Sequence, residues 1–192
     1  KDIVIKKLKK LLEDPSVKKI GQNIKFDFIV FFKHGITLSA MEDTMLMSYV
    51  LDAGKNRQNM DTLSELHLGH KTISFKEMVG TGKKEINFSE VEVDKAKDYA
   101  AEDADVTFRL YKKFLKNLKS EKLINIYEIF EKPLIKILAF MEIEGVEIDS
   151  KFLQSLSKKF EKKILKLEKD IFKISKKEFN IGSPKQLGEI IY

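Results

Sequence analysis

Apolar residues recur at three-to-four spacing through Ile5, Leu8, Leu11 and Leu12, among lysines, and predict a helix over residues 5–14 that Asp14-Pro15 ends. Residues 17–20, followed by Gly21, read as a short strand. Helical spacing resumes over 27–32 and closes at Lys33-His34-Gly35, a cationic last turn with a glycine cap. Strand, polar turn and helix together predict an α/β layer, because a buried strand needs a helix to cover its face. Two further helices are expected over 41–51 and 61–68, the second ended by Gly69, with a polar loop at 52–59 between them. Residues 72–90 hold no sustained period and read as short elements joined by mobile loop.

The strongest helical pattern runs over 93–118. Ala96, Tyr99, Asp103, Val106, Leu110 and Phe114 keep one face in register, and one member of that stripe is a carboxylate. The pattern weakens over 119–122, where a domain boundary is expected near residue 120. A new helix follows through Ile126, Ile129, Phe130, Leu134, Ile137, Leu138 and Met141, with Pro133 bending it or marking its effective start. Gly145 caps it, and an extended Val146-Glu147-Ile148 leads to a helix starting at Asp149 or Ser150. Over 151–175 Leu153, Leu156, Phe160, Ile164, Leu167, Ile171 and Ile174 alternate three and four apart, a seam that asks for a partner helix. Lys158, Lys159, Lys162, Lys163, Lys166 and Lys169 cover much of the remainder, a face for solvent or for phosphate. Ser183, Pro184 and Gln186 predict a capped helix from Pro184 with a reciprocal glutamine bond, and its short run to Tyr192 reads as a truncated end.

The absence of cysteine from the 192 residues removes disulfides, zinc thiolates and cysteine nucleophiles together, so any metal must be held by oxygen or imidazole. No run of eighteen apolar residues is present to span a membrane, and the opening Lys1-Asp2-Ile3-Val4 has no leader pattern; without a methionine it reads as a truncation or processing point. The net charge of +6, from 36 basic and 30 acidic side chains, fits phosphate-rich partners and equally a lysine-rich genome. Gly80 and Gly82 with basic neighbours are open to the same two readings, phosphate contact or plain loop.

Tyr99 and Asp103, four residues apart, project from one face a turn apart. A carboxylate inside an apolar stripe needs a hydrogen bond, an ion pair or a metal. The run Asn23-Ile24-Lys25-Phe26-Asp27 follows a strand, at the sheet edge where α/β proteins assemble sites, and Asp27 there is either a helix cap or a ligand. Hard oxygens such as those of Asp27 and Asp103 suit Mg²⁺ or Mn²⁺, and two such ions activate water and stabilise a leaving oxygen in phosphodiester cleavage. A tyrosine beside them is suited to positioning that water. Glu102 and Asp105 point off this face and receive no ligand role.

The run Gly21-Gln22-Asn23-Ile24-Lys25-Phe26-Asp27 resembles the second exonuclease motif of the bacterial family A DNA polymerases, of the DNA polymerase I type. Tyr99-Ala100-Ala101-Glu102-Asp103-Ala104-Asp105-Val106-Thr107 resembles their third motif, the DEDD type with tyrosine. Glu42-Asp43-Thr44-Met45 and His70-Lys71-Thr72-Ile73-Ser74-Phe75 are similar to the same family in the expected order. Glu142-Ile143-Glu144-Gly145-Val146-Glu147-Ile148-Asp149 resembles the entry to the polymerase domain, and Phe179-Asn180-Ile181-Gly182-Ser183-Pro184-Lys185-Gln186-Leu187 a pre-thumb or thumb segment. The resemblance implies an α/β fold: a partial ribonuclease H-like exonuclease domain over 1–120, lacking its N-terminal strands, then the mainly helical start of a polymerase domain over 121–192. By the same resemblance Asp103 is a direct metal ligand, Asp27 a metal-site carboxylate acting directly or through water, and Tyr99 the residue that positions the attacking water. Asn23 then shapes the primer-end pocket, while Lys158, Lys159, Lys162 and Lys166 grip duplex backbone. Two Mg²⁺ or Mn²⁺ ions, DNA as partner through a primer 3′ end and duplex backbone, no membrane, a monomeric state and a cytoplasmic, nucleoid-associated location follow from it as expectations.

The family's first motif, an Asp-x-Glu pair, does not occur in the sequence, nor do the palm motifs of the polymerase site. The chain by itself is therefore expected to be inactive, within a proofreading polymerase. Two other readings compete. One is a DNA-binding or structural module that keeps the exonuclease fold without chemistry. The other is a helical interaction protein associating through Leu156, Phe160 and Ile164.

Overall fold

The structure is a computed structural model that describes residues 2–82 and 85–191, except for the side chain of Asp2. Lys83 and Lys84, the basic neighbours of Gly82, and the terminal Tyr192 lie outside the described residues. By compactness the chain divides into two units, Lys1–Gly145 and Val146–Tyr192.

The first unit opens with helix α1 (Asp2–Glu13), then strand β1 (Lys19–Gly21) and helix α2 (Ile24–Phe32). Strand β2 (Met41–Asp43) runs parallel to β1, with Lys19 opposite Met41, Ile20 opposite Glu42 and Gly21 opposite Asp43. Helices α3 (Thr44–Asp52), α4 (Met60–Leu68) and α5 (Phe75–Val79) precede a 3₁₀ turn (Phe88–Glu90) and the long helix α6 (Val93–Ser120). A short α7 (Ile124–Ile126) passes through a π-helical turn (Tyr127–Glu131) into α8 (Lys132–Glu144), where Pro133 occupies the first turn as expected.

Two local expectations are corrected. Residues 41–43 are strand rather than the start of a helix. The Lys19 N–H donates to the Ala40 carbonyl at 3.0 Å, and Asp43, closing the strand, caps α3 by accepting the Met45 N–H at 2.9 Å. Three positions, Met41, Glu42 and Asp43, are too few to carry a period of their own, so the neighbouring strand decides their conformation. Helix α2 likewise begins at Ile24, three residues before Asp27, so Asp27 is not its cap. Asn23 holds the cap position in the left-handed region, φ 60° and ψ 47°, and its side chain makes no cap hydrogen bond. The chain turns tightly here: a Cβ on Gly21 would lie 3.0 Å from the Ile24 Cβ, tighter than most packed carbon contacts, so any larger residue would push on the Ile24 side chain.

Helix α6, at 28 residues, extends about 42 Å. Its buried face, Val106, Leu110, Tyr111, Phe114 and Leu118, packs with Met47 of α3, Leu63 of α4 and Tyr127. A second cluster joins Ile24 and Phe28 of α2, Leu38 and Met41 with Ile135 and Ala139 of α8. Phe140 of α8 meets Phe28 and Phe32 edge-on at 5.7 and 5.4 Å. The helix after residue 120 is thus built into the core of the first unit.

The second unit consists of α9 (Ser150–Ser175) and α10 (Pro184–Ile191). Asp149 caps α9 by accepting the Phe152 N–H at 2.9 Å. None of its described residues is fully buried, and the seam residues Leu153, Phe160, Ile164 and Leu167 are all exposed. At α10 Ser183 accepts the Gln186 N–H, but the glutamine side chain reaches past it to the Asn180 N–H at 2.8 Å. The expected reciprocal bond is replaced by one that also ties down the incoming loop.

Candidate active site

The site grows from the turn between β1 and α2. Both oxygens of Asp43 are committed to backbone amides: Oδ1 accepts from Asn23 at 3.1 Å and Met45 at 2.9 Å, and Oδ2 accepts from Ile24 at 3.0 Å. One carboxylate therefore satisfies the otherwise orphaned N-terminal amides of two helices, α2 and α3. It is 1% exposed, and burial raises its pKa against the opposing effect of those amides. Thr44 adds a bond to the Gly21 carbonyl at 3.1 Å and one to Gln22, and Gln22 in turn donates to the Gln58 carbonyl at 2.7 Å.

Asn23 and Asp27 leave this turn toward different clefts. Asn23 lines one of about 230 Å³ with Asp43, Met45, Leu46, Leu134 and Leu138. Asp27 lines another of about 260 Å³ with Leu12, Lys19, Ile20, Gly21, Ile24 and Phe31; the Lys19 ammonium there is bonded to the Asp14 and Val17 carbonyls. Although Asp27 is exposed as a residue, the cleft atoms remove part of the water from its carboxyl and raise its pKa. Among the described residues it has no cationic partner within salt-bridge distance.

Tyr99 and Asp103 are half-buried and neighbours on α6, as their spacing requires. Burial first, then the Asp103 charge, pushes the Tyr99 hydroxyl up to about 12. Asp103 is raised chiefly by burial, with Glu102 and Asp61 adding to the effect and Tyr99 opposing it. Tyr99 also sits in an aromatic group the sequence did not single out, with Phe88 at 5.9 Å and Phe75 at 6.4 Å between ring centroids. Asp61, read from the sequence only as the start of a helix, is held by Thr72, whose hydroxyl donates to it at 2.8 Å. Its acidity in the first turn of α4 was the available signal, and nothing in the linear spacing ties it to Asp103.

Glu102 points away from this face. Its Oε1 pairs with His70 Nε2 at 2.8 Å and its Oε2 accepts the Ile73 N–H at 2.7 Å, so it fastens the 70–73 segment to α6. The backbone bond is the main reason its pKa is lowered. In the second unit Lys158, Lys159, Lys162 and Lys166 are exposed along α9.

Partly desolvated carboxylates without cationic partners are the donor type that fits a hard divalent ion. Among the described residues, however, no group of three or more His, Asp or Glu side chains is placed to hold a metal ion, so the structure does not bring Asp27 and Asp103 together in such a cluster.

A parallel strand pair with helices packed about it sets this molecule among α/β folds. The chain belongs to the 3′-5′ exonuclease family of the family A DNA polymerases, which matches residues 1–119. It is 45% identical over 186 residues to DNA polymerase I of Rhizobium leguminosarum, covering 97% of this chain and 18% of that protein. It is 39% identical over 196 residues to DNA polymerase I of Pseudomonas aeruginosa, covering all of this chain and 22% of that one. The chain thus spans about a fifth of the length of these relatives. In fold it is similar to the POL domain of Pol1 from M. smegmatis, solved in complex with DNA primer-template and dNTP. The TM-score is 0.75 at 22% identity, over 96% of this chain and 29% of that one. The family match ends at residue 119 while the first compact unit runs to Gly145, so homology and compactness divide the chain at different points. Among the described residues no helix is long and apolar enough to cross a membrane.

Proposed function

We propose that this chain is part of a DNA polymerase and carries the later portion of its 3′–5′ proofreading exonuclease, over about 1–120, together with the first helices of the polymerase domain, over about 121–192. The observation that carries the reading is Asp103: a half-buried carboxylate beside Tyr99, with Glu102 and Asp61 adding acidity about it and, among the described residues, no cation within salt-bridge distance.

Asp103 is a direct ligand in this reading, and Asp27 contributes a second carboxylate directly or through water. Two divalent cations, Mg²⁺ or Mn²⁺, supply when bound the polarisation of the phosphate and the activation of water. The Tyr99 hydroxyl, protonated throughout the neutral range because its pKa is pushed up to about 12, acts as a hydrogen-bond donor that orients the water rather than as a base. Asn23 shapes the pocket for the primer end. On α9, Lys158, Lys159, Lys162 and Lys166 contact duplex phosphates, giving affinity without base specificity.

The sequence contains no Asp-x-Glu pair, so this chain alone lacks the carboxylates that complete the ligand set and is inactive by itself. The test is Mg²⁺-dependent degradation of single-stranded DNA. The isolated chain is expected to show no turnover, whereas the full-length polymerase degrades the strand and loses that activity in Asp103→Ala. Robust turnover by the isolated chain, or an unaffected Asp103→Ala polymerase, contradicts the reading.

A further inference from the structure

Asp43 lines the same cleft as Asn23, yet both of its carboxylate oxygens are engaged by backbone amides. Its three amide partners divide unequally: Met45 belongs to its own helix, α3, whereas Asn23 and Ile24 belong to the start of α2. Asn23 stands in the left-handed region, which asparagine tolerates better than most residues other than glycine, and bonds from its surroundings fix it there. The Asn23 side chain makes no cap bond of its own, so a carboxylate from another strand does the capping of α2. Asp27 lies one turn along that helix, so the direction in which it leaves the sheet follows from the angle at which α2 starts.

Asp43 is itself held on every side. It pairs in register with Gly21, its N–H donates to the Tyr127 hydroxyl at 3.0 Å, and it is 1% exposed. A rigid group with both oxygens spent on the helix that bears two site residues is a positioning device.

We propose that Asp43 is a positioning residue of the exonuclease site: by bonding the Asn23 and Ile24 amides it locks the left-handed turn and sets the orientation of Asn23 and Asp27. This rests on the reading of Asp27 as a metal-site carboxylate. Asp43 acts through α2 and touches neither metal nor DNA.

The discriminating variant is Asp43→Ser in the full-length polymerase. Serine keeps an oxygen for the Met45 amide, as a good N-cap of α3, but does not span the two amides of α2. Single-stranded DNA degradation is expected to fall by about 10–100-fold in kcat, as for the loss of groups that orient ligands, with KM changed by less than about twofold. Hydrogen exchange at the Asn23 and Ile24 amides is expected to quicken while α4 keeps its protection. Wild-type kcat with those amides deprotected overturns the proposal, and so does deprotection of α2 and α4 alike, which marks a merely structural role. Asp43→Asn, of the same shape but with one acceptor oxygen fewer, repeats the test if the serine variant does not fold; failure of both to fold also overturns it. Asp27→Ala is measured alongside. If it leaves degradation intact, the functional reading of Asp27 is at fault and the proposal falls with it; if it abolishes degradation and Asp43→Ser does not, the proposal alone fails.

Discussion

Tyr127 and Glu42 meet inside the first unit, where the tyrosine hydroxyl donates to Glu42 Oε2 at 3.0 Å and accepts the Asp43 N–H at 3.0 Å. Lys132 closes on the other carboxylate oxygen at 2.9 Å and Lys18 approaches it at 3.4 Å. A charge that is 3% exposed is thereby matched by two lysines and one hydroxyl, as burial of an ionised group requires. The network also joins the helix after α6 to the strand that carries Asp43.

Tyr127→Phe removes the hydroxyl and leaves a buried amide and a carboxylate oxygen each short of a partner. A loss of about 1–3 kcal/mol is expected, measured by denaturant unfolding, with the slope unchanged. A loss below about 0.3 kcal/mol would show that water replaces the hydroxyl freely.

Asp103 predicts the opposite sign. Its folded pKa is raised above the ordinary 3.8, so the folded state is penalised as pH rises through that value and carries the full penalty at neutrality. Asp103→Asn is expected to raise the melting temperature at pH 7 without divalent ions, by about 0.5–1 kcal/mol in stability, and the gain is expected to vanish only well below pH 3.8, where both states are protonated. A destabilised Asn variant at neutral pH refutes this.

Glu102 behaves conversely. Its pKa is lowered from 4.5 by the Ile73 amide and then His70, so its contribution is complete above 4.5 and disappears as pH falls through the folded value. The gap in melting temperature between the wild type and Glu102→Gln should be open at pH 6 and closed in strong acid. A gap that persists unchanged into acid assigns the role to shape rather than charge.

For Tyr99→Phe in the full-length polymerase, a drop of roughly 100-fold in single-strand degradation is expected, on the scale of losing one oriented donor. The wild-type rate should show no limb from tyrosine ionisation near neutral pH, given a pKa of about 12. A near-normal rate for the phenylalanine variant removes the orienting role.

Replacing Lys158, Lys159, Lys162 and Lys166 together by alanine should flatten the dependence of duplex affinity on salt. Each lost phosphate contact lowers the slope of log K against log salt by about 0.9, so four contacts lower it by up to about 3.6. An unchanged slope makes this a solvated face.

Long periodic segments were legible from the chain because each buries one side of itself: α6, α8 and α9 fall where their apolar stripes place them, and Tyr99 and Asp103 are neighbours by helical spacing alone. The ordered motifs carried the family as well, since they preserve the chemistry of particular residues. Short elements were not legible. Met41, Glu42 and Asp43 became a strand because β1 offers them a pairing edge, and α2 started early because Asp43, twenty residues away in sequence, receives its amides.

Sequence by itself determined which residue types stand on which helix face, and with them the nuclease family. Only the tertiary structure decided that Asp43 caps two helices, that Tyr127 and Glu42 satisfy one another, and that Asn23 and Asp27 open to different clefts. The physical reason is range: helical periodicity acts within a few residues, whereas the partner of a buried polar group is whichever group the fold brings within about 3 Å, and no spacing along the chain encodes that distance.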